Sequence, residues 1–210
     1  MRRVVPLLLL VLLLTRAALA GKSDLVDLAP GFRLDIRYAT TNNFMKMKLY
    51  PEARAFLQRP VAEALTRVNS DLKKQGYELI ILDAYRPWSV TRLIWDRAPA
   101  AWRTGGYVGD PARGSRHNRG ATVDLTMASL KTGNPVLMPT QYDDFTAAAH
   151  ANYQGGSWEA RKNRDLLIRA MARHGFTVLP EEWWHFDHRD WPKYPVMDVP
   201  FNKVDAARSR

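Results

Sequence analysis

Apolar residues along this chain recur at two periods, and the switches between them mark its elements. In "FRLDIRYAT" (32–40), Leu34, Ile36 and Tyr38 alternate with polar neighbours, which predicts a short strand. "PVAEALTRVNSDLKKQG" (60–76) places Val61, Ala64, Leu65, Val68 and Leu72 at helical spacing between an opening proline and a closing glycine. "ELIILD" (78–83) reads as a buried strand, and "AYRP" is its exit, because Pro87 biases Arg86 away from helix. A helix is expected over 88–98, a β-rich alternating segment over 120–127, and a turn at "KTGNPV". A second long helix over 157–175 stops at Gly175, and "FTVL" and "WWHFDH" follow as late strands. Strands and helices mix without a regular βαβ repeat. The pattern therefore predicts a single α+β domain, with a mostly antiparallel central sheet flanked by helices.

The first twenty residues break this pattern. "MRR" is a basic start, "VVPLLLLVLLLT" an apolar run short for a bilayer, and Ala18 and Ala20 form an A-x-A arrangement before Gly21. Residues 1–20 thus read as a secretory signal peptide, leaving 21–210 as the domain and a chain that is exported, periplasmic or secreted. No second apolar run is long enough to span a membrane, so no stable membrane insertion is expected after cleavage. The chain has no cysteine, so disulfides and thiolate zinc clusters are excluded and any metal must be held by His, Asp or Glu. The formal charge is +10; losing Arg2, Arg3 and Arg16 with the signal takes it to +7. Such a surface suits solubility or attraction to anionic envelope polymers. The basic residues are scattered, so nucleic acid is not an expected partner.

Candidate chemistry sits in three places. In "SRHNRGATVDL" (115–125), His117 and Asp124 are seven apart, an odd offset that one unbroken strand would place on opposite faces. They converge only if the backbone turns between them, and Gly120 permits that turn. In "PEEWWHFDH" (180–188), Glu182 and His185 are three apart and can reach one site from a turn. His117, Asp124 and His185 would form the protein side of a one-ion zinc site with a position left for water, whose pKa zinc lowers towards about 7. Glu182 would then move the proton, and Trp183 and Trp184 would wall off solvent. Glu181 competes for the role of Glu182, and His188 for that of His185. In "LDAYRP" (82–87), Arg86 leaves a strand end, where a cation can stabilise an oxyanion.

Together, "SRHNRGATVDLT", "EEWWH" and "DAYRP" resemble the D-alanyl-D-alanine dipeptidases, zinc peptidases of the vancomycin-resistance dipeptidase type that are grouped with D,D-carboxypeptidases in a D,D-peptidase/hedgehog-like fold. The pattern S-x-H-x-x-G-x-x-x-D falls on Ser115, His117, Gly120 and Asp124, and E-x-W-H falls on Glu182, Trp184 and His185. The similarity runs from about Leu34 to Pro200. It implies zinc on His117, Asp124 and His185, Glu182 as general base then acid, and Arg86 stabilising the transition state. It further implies that Tyr38 helps hold substrate, that Ser115 binds the substrate carboxylate, and that Asp143 meets the substrate ammonium, with Asp144 adjoining it. The implied substrate is D-Ala-D-Ala. The signal peptide departs from the resistance enzymes, because an exported enzyme cannot deplete a cytoplasmic pool; salvage or turnover of peptidoglycan peptides is the expected role. The alternatives are a D,D-carboxypeptidase acting on longer muropeptides and a non-catalytic zinc-fold module that binds peptidoglycan. Retention of both Glu182 and Arg86 argues against the latter. The sequence sets no oligomeric state.

Overall fold

The computed structural model describes residues 24–204. The segment read as a signal peptide lies outside them. The strands are β1 (Leu25–Asp27), β2 (Arg33–Leu34), β3 (Phe56–Gln58), β4 (Tyr77–Asp83), β5 (Thr122–Ser129), β6 (Phe176–Leu179) and β7 (Glu182–His188). The helices are α1 (Arg59–Lys73), α2 (Trp88–Arg97), α3 (Ala100–Thr104), α4 (Trp158–Arg173) and α5 (Phe201–Val204). The central sheet has the order β2-β4-β5-β7-β6, and β1 and β3 form a separate antiparallel pair. Every pairing in the central sheet is antiparallel except β2 with β4. The fold is thus the α+β arrangement expected. No helix among the described residues is long and apolar enough to cross a membrane.

Pleating separates the two faces of the sheet, since successive side chains alternate. On one face Leu79, Ile81, Val123, Leu125 and Met127 are fully buried in the main core. Val61, Leu65, Val68 and Leu72 from α1 and Leu167, Ala170 and Met171 from α4 pack in that same core. Both helices bury one stripe and end near glycines with positive φ, Gly76 (86°) and Gly175 (87°). The opposite face carries Thr122, Asp124 and, across from them in register, Asp187 and His185.

The strand expected over 32–40 is mostly something else. Only Arg33 and Leu34 pair with the sheet, and Arg37–Ala39 form a single 3-10 turn. This strand lies at the sheet edge, so little holds it there, and the Tyr38 carbonyl accepts instead from the N–H groups of Leu49 and Tyr50, each at 2.8 Å. The alternation of Leu34, Ile36 and Tyr38 reflects burial in a turn, and that turn buries Tyr38 beside Arg86.

Candidate active site

The loop that carries His117 is built by local hydrogen bonds. Ser115 caps a 3-10 turn over Arg116–Arg119: its Oγ accepts from the N–H of His117 (3.2 Å), while its own N–H donates to Asn118 Oδ1 (2.6 Å). Gly120 ends the turn at φ 65°, and a Cβ there would lie 2.5 Å from Leu25 Cδ2, so both conformation and space demand glycine. The chain then enters β5, and Asp124 follows on the same side as His117. The odd spacing converges because the backbone turns between the two residues.

Two irregularities bring in the rest. The β4–β5 register shifts between Ile81 and Asp83, so Asp83 lies opposite Asp124. Such a bulge re-aims a side chain, here the Asp83 carboxylate. The β6–β7 register shifts between Val178 and Leu179, beside Glu182, and Glu182 Oε2 stands 3.6 Å from His185 Nδ1.

Three atoms meet at the centre. His117 Nε2, Asp124 Oδ1 and His185 Nδ1 are separated by 3.3, 3.3 and 3.1 Å. Ligand atoms about 2.0–2.1 Å from a tetrahedral zinc stand about 3.3 Å apart. Asp124 Oδ1 is buried and, among the described residues, makes no hydrogen bond, so it lacks a partner unless an ion supplies one. The triad therefore fits a metal. Each ligand is also oriented from behind. His117 Nδ1–H donates to the Ala84 carbonyl (2.7 Å), which leaves Nε2 for the ion. His185 Nε2–H donates to Asp187 Oδ1 (3.3 Å), and Tyr142 donates to Asp124 Oδ2 (2.9 Å).

Arg86 occupies the β4 exit, as its position before Pro87 implied. Its Nε and Nη2 donate to Asp83 Oδ2 at 3.2 and 2.8 Å, and Tyr50 donates to Asp83 Oδ1 at 2.6 Å. The guanidinium lies over the Tyr38 ring, 5.0 Å from its centroid. Fully buried Asn118 ties this exit to the metal loop by donating to the Arg86 carbonyl and to Thr91 Oγ1, both at 2.8 Å.

The electrostatics follow from burying so many ionisable groups together. Burial pushes the Asp124 carboxyl up, but the His117 and His185 imidazoles outweigh it and hold it well below the usual range. Burial lowers His185, yet the adjacent Asp124 and Asp187 carboxylates prevail and raise it to about 10 when no metal is bound. Burial, with the Asp124 charge nearby, raises Glu182 and lifts Asp143 well above its ordinary value. Asp143 also adopts φ 62°, an uncommon conformation for a non-glycine residue and one that recurs at functional sites.

One cavity of about 170 Å³ is lined by all eight residues singled out from the sequence: Tyr38, Arg86, Ser115, His117, Asp124, Asp143, Glu182 and His185. That is small beside the roughly 300–1,000 Å³ of drug-sized pockets. Phe44, Tyr107 and Phe145 complete its wall, and Phe145 stacks on Tyr107 with 5.1 Å between centroids. Trp184 lines the cavity, but Trp183 does not; its Nε1–H donates to Thr140 Oγ1 (2.9 Å) beside a second cavity. The bond to Thr140 holds the Trp183 indole at that second cavity, so only Trp184 of the pair lines the site. Neither rival joins the triad: Glu181 is exposed, and His188 is buried beside Phe176.

Two imidazoles and a carboxylate around one point, with a half-buried carboxylate and a guanidinium alongside, define a metal-dependent hydrolase. Comparison with known proteins specifies the kind. Residues 19–205 match the D-ala-D-ala dipeptidase family. A D-alanyl-D-alanine dipeptidase of Escherichia coli K12 is 32% identical over 187 residues, 88% of this chain and 94% of that protein. One from Enterococcus faecalis V583 is 34% identical, over 84% of this chain and 94% of its own length. Among solved structures, the LdcB LD-carboxypeptidase aligns with a TM-score of 0.46 and 16% identity, over 90% of this chain and 73% of its own. The chain belongs to the D-ala-D-ala dipeptidase family and is a zinc metallopeptidase.

Proposed function

We propose that the chain hydrolyses D-Ala-D-Ala to two D-alanines, with zinc held by His117, Asp124 and His185. The observation that carries this reading is the small cavity in which the triad, Glu182 and Arg86 share walls with Asp143 and Ser115. A free dipeptide is a zwitterion, and a closed pocket can meet both of its ends. The Asp143 carboxylate pairs with the ammonium, and the Ser115 hydroxyl donates to the terminal carboxylate. Longer peptides lack the ammonium at that place and meet the wall formed by Phe44, Tyr107 and Phe145. The relatives named above carry the same substrate in their names.

Bound zinc supplies Lewis acidity and a water of lowered pKa. Glu182 takes the proton of the attacking water on its carboxylate and gives it to the departing amine. Its raised pKa suits a group that must both accept and release a proton. Arg86, fixed by Asp83 and by the Tyr38 ring, stabilises the negative charge that grows on the scissile carbonyl oxygen. The reaction takes place outside the cytoplasm, in turnover or salvage of peptidoglycan peptides, a reading that rests on residues 1–20.

The test is a substrate panel on zinc-loaded protein. D-Ala-D-Ala should be cleaved and a pentapeptide stem ending in D-Ala-D-Ala should not. Cleavage of the stem alone would make the protein a D,D-carboxypeptidase. Cell fractionation with N-terminal sequencing tests the address; a cytoplasmic protein that retains Met1 refutes export.

A further inference from the structure

The pattern S-x-H-x-x-G leaves positions 116 and 119 free, and this chain places arginine at both. Both guanidinium groups lie over the ring of Trp191, at 4.8 Å for Arg116 and 5.4 Å for Arg119. Their hydrogen bonds then diverge. Arg119 donates to the carbonyl of Tyr194, in the segment that carries Trp191. Arg116 donates to Asp187 Oδ2, the other oxygen of the carboxylate that accepts from His185 Nε2. Thr122 Oγ1 donates to Asp187 Oδ1 at 2.6 Å. A short path therefore runs from a half-buried aromatic ring to a metal-ligand imidazole: Trp191, Arg116, Asp187, His185.

We propose that Arg116 and Trp191 are positioning residues that brace His185 through Asp187 and so set how firmly the metal is held. Asp187 is buried, but the Arg116 side chain is 45% exposed. An exposed arginine ordinarily samples many rotamers, and restricting it costs entropy. Stacking on Trp191 narrows that freedom before the hydrogen bond forms, because a guanidinium is attracted to an aromatic face. The bonded Asp187 carboxylate is then fixed from both oxygens. An imidazole held by such a partner keeps its Nδ1 lone pair aimed at the other two ligands. Arg119 shares the ring but has no bond to Asp187, so it bears on the imidazole only indirectly, by anchoring the Trp191 segment.

This inference rests on His185 being a ligand. The experiment follows zinc loss from the loaded protein to a chelator and the visible spectrum of the cobalt-substituted protein, in Arg116→Ala, Arg119→Ala, Trp191→Leu and His185→Ala. Outer partners of metal-ligand histidines change metal affinity by about 10–100-fold. Arg116→Ala should release zinc about tenfold faster and shift the cobalt bands, and Trp191→Leu should move both in the same direction. Arg119→Ala should lower the thermal midpoint and move both metal readouts less than Arg116→Ala does. Equal zinc loss in the two arginine variants, or wild-type retention in Arg116→Ala while His185→Ala is metal-free, overturns the brace. Full zinc retention by His185→Ala overturns the ligand reading instead.

Discussion

Replacing Asp83 by alanine tests the internal support of the site most directly. Asp83 is fully buried and is the acceptor for both the Arg86 guanidinium and the Tyr50 hydroxyl. The side chains of the ion pair are 10% and 0% exposed, so solvent screens it little. Removing one partner of a buried pair leaves an uncompensated charge and costs about 3–5 kcal/mol. For a domain of this size, about 2–4 °C per kcal/mol converts that loss to a fall in thermal midpoint on the order of 10 °C. Urea unfolding followed by circular dichroism reads the loss without reference to turnover. The companion variant Asp83→Leu/Arg86→Met removes both charges. It should be more stable than Asp83→Ala, because a well-packed apolar pair often matches a buried ion pair. A loss below about 1 kcal/mol in Asp83→Ala, as for an exposed pair, would refute the reasoning. So would a double variant that loses the sum of both single changes.

Four further outcomes follow. Glu182→Ala should keep its zinc and lose hydrolysis; normal turnover by that variant removes Glu182 from the mechanism. His117→Ala should emerge from dialysis depleted of zinc by elemental analysis, whereas a full complement counts against the triad. Because His185 is raised from 6.5 to about 10 without metal, the stability its charge contributes to the metal-free protein is fully present below about pH 6.5. That stability is lost as pH rises through about 10, and zinc uptake at pH 8 should release a proton, measurable by calorimetry in buffers of different ionisation enthalpy; a buffer-independent heat contradicts it. Burial raises the Asp143 carboxyl well above its usual value, so its ionisation opposes folding increasingly as pH climbs above about 4. Asp143→Asn should therefore raise the thermal midpoint of the substrate-free protein at neutral pH while raising KM for D-Ala-D-Ala, and a lowered midpoint or unchanged KM would refute that account.

Much of this arrangement was legible because it is periodic. The stripes of α1 and α4 and the alternation in β5 each bury one face, and burial of one face is what sequence periodicity records. The strands β1 and β3 were not legible, since three residues are too few to show a period. The 32–40 segment was misread because alternation also arises where a turn buries every second residue. The metal triad could be read only by combining two motifs 68 positions apart, His117 and His185. Its supports were harder to find, because Tyr142, Asp83 and Asn118 find their partners through tertiary packing rather than local pattern. Asp187 had a local cue: it lies two residues after His185 in a strand, hence on the same face. The bulge that re-aims Asp83 left no cue in "ELIILD", where the residues read as one regular strand up to the "AYRP" exit.

The close approach of Gly120 to Leu25 bears on when the protein acquires its activity. Leu25, near the start of the described chain, packs against the turn that presents His117, while Met197, near its end, donates its N–H to the Asn118 carbonyl within that turn. Between them, His185 arrives only with β7. The centre is thus assembled from contacts of high sequence separation, which form late because their loop closure is costly. A nascent chain that ends before β7 offers one imidazole and one carboxylate from the triad, too few for a closed site. Catalytic competence is therefore withheld until β7 has been made and has docked, so the topology itself sets the order in which fold and activity appear.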